Sequence, residues 1–157
     1  MRYFGLIGKS LSHSFSQKFF TAKFAADGIE ACYDLLEIDS ISKIDRLIAE
    51  KQLSGFNVTI PYKESIIPYL DDLSDEAREV GAVNCVVIKD ARKVGYNTDV
   101  MGIDATLEWL DTTDVKVLIL GTGGASKALQ HVLRKRSMPY SIVSRDKQRG
   151  DYTYDEV

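Results

Sequence analysis

A chain of 157 residues can bury one sizeable core or two small ones. Its hydrophobic content of 45% and charged content of 27% are those of an ordinary globular protein. A net charge of −3 without a basic run argues against nucleic acid as the main partner, and no apolar run approaches membrane-spanning length. The opening MRYFGLIGKS lacks the long apolar core of a signal peptide. Cys32 and Cys85 have no metal-type spacing and are expected to be reduced packing residues in a cytoplasmic protein, with no metal site.

In chain order, YFGLIG (3–8) reads as a buried strand ending in glycine, followed by the polar loop SLSHSFS. Phe19, Phe20, Lys23 and Phe24 recur at helical spacing from Ser16 to Asp27, and Gly28 ends that helix. ACYDLLEI (31–38) is a second strand. Ser40 offers an N-cap before Ile41, Ile44, Leu47 and Ile48, which repeat with helical period. GFNVTI (55–60) is a third strand, and a short helix is expected after Pro61. Ser74, Asp75 and Glu76 suit the start of another helix. Residues 82–88 and 93–97 flank KDAR and read as a β-hairpin. Residues 98–110 form a helix with Ile103, Leu107 and Leu110 on one stripe. VKVLILG (115–121) reads as a strongly buried strand, GTGGASKALQHVLRKR as a glycine turn opening a helix, and YSIVSR (140–145) as one more strand. This alternation predicts an α/β protein of two domains, the first a mostly parallel sheet with flanking helices, with the break near the helix at 98–110.

GTGGASKA follows an apolar strand and opens a helix, the context of a dinucleotide-binding turn. Gly121 permits the tight turn, Gly123 and Gly124 allow close approach to a pyrophosphate, and the helix start offers N–H groups to the anion. Ser126 stands where a third glycine is usual, so a tight βα turn without a nucleotide remains open. At the end of the next strand, Ser144 and Arg145 precede Asp146. An arginine there suits a 2′-phosphate, which favours NADP over NAD; the alternative is a solvated charged loop.

Asn57 and Thr59 are two apart on a strand and project from one face, just before Pro61 redirects the chain toward Lys63. Amide and hydroxyl suit a hydroxyl-rich ligand, and lysine can donate a proton or stabilise an oxyanion. A capped helix start with a surface lysine is the competing reading. Ser14 and Ser16 precede a helix, and are either its cap or part of a carboxylate site. His13 is a loop histidine that is either a base or structural. Asn84 lies on a strand. Asp99 begins a helix, as a cap or as a carboxylate orienting Lys63 or the ligand.

Taken in order, GLIGKSLSHSFS, GFNVTIPYK, GAVN, GYNTD, GTGGASKA and VSR resemble the shikimate dehydrogenase family from end to end of the chain. That resemblance implies a substrate domain followed by an NADP-binding domain, and reversible reduction of 3-dehydroshikimate to shikimate. It assigns Ser14 and Ser16 to the substrate carboxylate, and Asn57, Thr59, Asn84 and Asp99 to ring hydroxyls. Lys63 and Asp99 become the catalytic pair, expected to converge in one cleft with the two serines. It also matches Gly121, Gly123, Gly124, Ala125 and Ser126 to the phosphate turn, and Ser144 and Arg145 to the 2′-phosphate site. An NAD-using quinate or shikimate dehydrogenase, and a non-catalytic shikimate-binding module, are the alternatives. Gln17 and Cys85 depart from the residues usual in the family and remove no proposed ligand.

The implied division is a substrate-binding domain over 1–98, a linking helix over 99–110 and a partial nucleotide domain over 111–157. A Rossmann-like sheet has about six strands, and only two are read here. The chain is therefore expected to be a fragment with exposed apolar surface, prone to self-association and weak or inactive as a dehydrogenase.

Overall fold

The computed structural model describes residues 1–110 and 115–157; the domain boundary expected at residue 111 lies outside them. The chain forms two compact units, Met1–Ser74 with Val83–Tyr96, and Asp75–Ala82 with Asn97–Val157.

The first unit is built on a six-stranded sheet of order β2-β1-β3-β5-β6-β4. Its strands are β1 (Arg2–Gly8), β2 (Ala31–Glu37), β3 (Leu53–Val58), β4 (Asp72–Leu73), β5 (Cys85–Lys89) and β6 (Arg92–Tyr96). β1 pairs in parallel with β2 and β3, and β4 with β6, whereas β5 runs antiparallel to both neighbours. Helices α1 (Ser16–Ala26) and α2 (Ile44–Lys51) supply the crossovers between the parallel strands. Gly28, at φ 64°, follows the end of α1 as the sequence implies. Ser40 caps the turn ahead of α2, its hydroxyl accepting the Ser42 N–H.

Register decides which side chains share a face. Phe4 pairs with Tyr33, Leu6 with both Leu35 and Asn57, and α1 lays Phe20 and Phe24 against that face. Ile7, aligned with Leu36 and Val58, belongs to the opposite face and is fully buried. The short helix expected after Pro61 is not an α-helix. It is a run of turns closing in a 3₁₀ turn at Ile67–Tyr69, where Pro68 has no N–H for an α-helical ladder. The two-residue strand β4 has no signal in the sequence; it forms where Ser74 N–H reaches the Gly95 carbonyl.

The β5–β6 hairpin turns through Asp90 and Ala91, at φ 51° and 60°. Two left-handed residues make the turn whose twist matches the strands. Alanine at that φ costs about 1–2 kcal/mol, and glycine forfeits about 0.5–1 kcal/mol in chain entropy. Ala91→Gly is therefore expected to stabilise the unit by about 0.5–1 kcal/mol, read as a higher urea midpoint at unchanged slope.

The second unit contains α3 (Asp75–Val80), α4 (Asp99–Trp109), α5 (Gly124–Lys135) and a parallel pair, β7 (Val117–Leu120) with β8 (Tyr140–Val143). Its core joins Val80, Ala82, Val100, Ala128 and Val132, with Ile103 and Leu107 packed against them. Arg136, just past α5, ties back to α4 through its Nε–Asp104 Oδ1 contact of 2.7 Å. β7 is buried on one face only. Ile119 is buried, but Leu118 and Leu120 point outward at 45% and 65% exposure, where the sequence suggests a strand buried throughout. Among the described residues no helix is long and apolar enough to cross a membrane.

Candidate functional site

Three separated stretches of the first unit meet at one open cavity of about 470 Å³. From the loop after β1 come Ser14 and Ser16; from β3 and the turn beyond it come Asn57, Thr59 and Lys63; from the start of β5 comes Asn84. Leu6 and Phe20 form apolar wall, and His13 lies at the rim loop. The described lining includes a lysine and a histidine and no carboxylate, a balance suited to an anionic, hydroxyl-bearing ligand.

Backbone contacts hold these groups. The loop at 9–15 is anchored where Leu11 N–H donates to Glu37 Oε1 at 2.6 Å and Ser14 N–H to the Leu11 carbonyl at 2.8 Å. Ser14 Oγ accepts the Ser16 N–H at 3.2 Å, one residue ahead of Phe15, the N-cap residue of α1. The Ser14 hydroxyl proton stays available to a ligand. β1 ends in Gly8 because a Cβ there would stand 2.6 Å from Leu11 Cδ2 and 2.7 Å from Thr59 Cγ2. The Ile60–Pro61 bond is cis, and Tyr62 is locked by its hydroxyl donating to the Ile38 carbonyl at 2.7 Å. Val83 N–H to the Lys63 carbonyl, 2.7 Å, then sets the lysine turn beside Asn84.

Tyr33 is a residue of this site that strand reading alone overlooks. Its hydroxyl donates to Asn57 Oδ1 at 2.8 Å, and Asn57 Nδ2 donates onward to the Asn84 carbonyl at 3.2 Å. Burial raises the phenol's pKa above its ordinary value, a rise opposed in part by the Ser16 side chain. Burial likewise pushes the Cys85 thiol up, in keeping with a packing cysteine.

Asp99 belongs to the second unit, in the first turn of α4. Thr98 is the N-cap residue of that helix, and just before it Asn97 Oδ1 accepts the Val100 N–H at 3.4 Å while Nδ2 donates to the Ala82 carbonyl at 2.9 Å. Asp99 lines a groove of about 610 Å³ between α4 and α5, together with Thr98, Gly102, Ile103, Leu107 and Ala125.

The glycine turn has the form a dinucleotide phosphate needs. Gly121 sits at φ 107°, a conformation that favours glycine. Cβ atoms built at Gly121 and Gly123 would meet nothing within 4 Å, so the approach to the start of α5 is open. Gly124, Ala125 and Ser126 form the first turn of that twelve-residue helix, which carries no acidic residue. Ser126 Oγ accepts from Gln130 Nε2 at 3.0 Å. Past β8, Arg145 is exposed, whereas Ser144 is buried with its Oγ accepting the Asp146 N–H at 3.1 Å.

Residues 6–86 match the shikimate dehydrogenase substrate binding domain, a span that contains every group named as lining the cavity of the first unit. The chain belongs to the shikimate dehydrogenase family. An NADP(+) shikimate dehydrogenase of Staphylococcus epidermidis is 43% identical over 147 residues, 90% of this chain and 54% of that protein. Shikimate dehydrogenase 1 of Peptoclostridium difficile superposes with a TM-score of 0.85 at 39% identity, over 95% of this chain and 59% of that one. The shikimate 5-dehydrogenase of Thermus thermophilus, solved in complex with shikimate, gives 0.84 at 29% identity over 95% and 58%. The chain spans about half the length of the curated shikimate dehydrogenases it matches.

Proposed function

We propose that the chain is the substrate-binding half, with the opening of the nucleotide-binding part, of an NADP-dependent shikimate dehydrogenase. The observation that carries this reading is the convergence of Ser14, Ser16, Asn57, Thr59, Lys63 and Asn84 on one cavity from three stretches of sequence. A carboxylate is received by the hydroxyls of Ser14 and Ser16. Ring hydroxyls are received by Asn57, Thr59 and Asn84, groups that both donate and accept.

NADPH, when bound, supplies the hydride that goes to the carbonyl carbon of 3-dehydroshikimate. Gly121, Gly123 and the first turn of α5 would hold its pyrophosphate, and Arg145 its 2′-phosphate. Lys63 donates a proton to the carbonyl oxygen as negative charge develops there, and takes it back in the reverse direction. Asp99 is assigned the carboxylate of the catalytic pair, with a share in binding the ring hydroxyls.

Calorimetric titration with shikimate tests the reading, alongside NADPH consumption with 3-dehydroshikimate. Saturable one-site binding of shikimate is expected; a chain that takes up no shikimate at millimolar concentration overturns it. Exposed Leu118 and Leu120 support self-association of the second unit. A mass by sedimentation that stays monomeric across concentration counts against that.

A further inference from the structure

We propose that Tyr33 is a positioning residue of the substrate site, fixing through its hydroxyl the orientation of the Asn57 amide. This rests on the reading of the cavity as a shikimate site. The argument is one of donors and acceptors. The Asn84 carbonyl only accepts, and it already takes the Val58 N–H at 2.9 Å. The group of Asn57 that faces it at 3.2 Å is therefore the amide nitrogen. The amide oxygen must then face Tyr33, and at 2.8 Å the phenol must be the donor.

The phenol keeps its proton, because burial disfavours the phenolate. The ring itself is held: Phe20 of α1 stacks on it at 4.5 Å and 16°. A buried side chain on β2 thus holds the β3 amide and, through that amide, reaches the backbone of Asn84. Without it the Asn57 side chain keeps one anchor and can rotate away from the geometry a ring hydroxyl needs.

The test is Tyr33→Phe, which retains the ring and its stacking on Phe20, combined with Asn57→Ala in a double-mutant cycle on the 157-residue chain. Tyr33→Phe alone is expected to weaken shikimate binding about tenfold, with near-native circular dichroism. In the Asn57→Ala background the same change should alter binding less than about twofold, because the group it positions is gone. Equal weakening in both backgrounds, or undiminished binding by Tyr33→Phe, overturns the proposal. A second arm needs no ligand: the Asn57 side-chain amide should be rigid by ¹⁵N relaxation in the unaltered chain and mobile in Tyr33→Phe. An amide equally rigid in both overturns Tyr33's role. Failure of the unaltered chain to bind shikimate, with this arm positive, overturns the assigned ligand instead.

Discussion

In the intact enzyme, Lys63→Ala is expected to lower kcat for NADPH-dependent reduction of 3-dehydroshikimate by about 10²–10⁴-fold, the usual worth of a positioned proton donor. KM should move only a few fold, because the cavity keeps its serines and amides. What holds this position is backbone: the Lys63 carbonyl accepts the Val83 N–H at 2.7 Å, and Tyr62 next to it is anchored to Ile38. These backbone contacts do not pass through the lysine side chain, so they remain when it is removed. Lys63→Arg is the informative companion. It retains the charge but holds its proton too tightly and too rigidly to donate it, so its kcat should fall nearly as far. Steady-state rates with circular dichroism of each variant check this; near-normal turnover by Lys63→Ala would remove the lysine from the chemistry.

The sequence displays the elements whose burial is periodic or whose ends are punctuated. β1, α1 and β2 are read within a residue or two because Gly28 closes the helix and apolar runs mark the strands. The hairpin is legible because KDAR is polar between two β-prone runs. Strand direction is a different matter: nothing in CVVIK says that β5 runs antiparallel to β3, since pairing partners are chosen by the whole sheet. The same holds for β4, a strand only because Gly95 admits Leu70 and Leu73 against the sheet; a Cβ there would stand 2.6 Å from Leu70 Cδ1. The outward face of β7 escapes notice because VLIL is apolar on both faces, and only packing tells them apart. Within the candidate site, alternation on β3 is enough to pair Asn57 with Thr59. Tyr33 has no such signal. A tyrosine is an ordinary strand residue, and its partner Asn57 lies 24 positions away.

Ser14→Asp is expected to weaken shikimate binding about a thousandfold, while the fold persists. Two like charges roughly 4 Å apart repel by about 4 kcal/mol at an effective dielectric constant near 20, which is about three decades in affinity. The substitution is unusually clean at this position. Ser14 Oγ accepts the Ser16 N–H at 3.2 Å ahead of α1, and aspartate caps a helix start as well as serine does. The carboxylate also suits the positive end of the helix dipole, so stability should be unchanged or slightly higher. Ser14→Asn separates charge from shape: it caps equally well and is neutral, and its binding should fall only about tenfold, the scale of one or two mispaired hydrogen bonds. Salt gives a further handle, since repulsion at an open cavity is screened; the gap between the two variants should narrow as ionic strength rises from low values toward 1 M. Calorimetry of the pair with shikimate reads this directly. Equal affinities for the aspartate and asparagine variants would mean that the ligand's negative charge does not sit by Ser14, and the carboxylate would then have to be sought at another wall of the cavity.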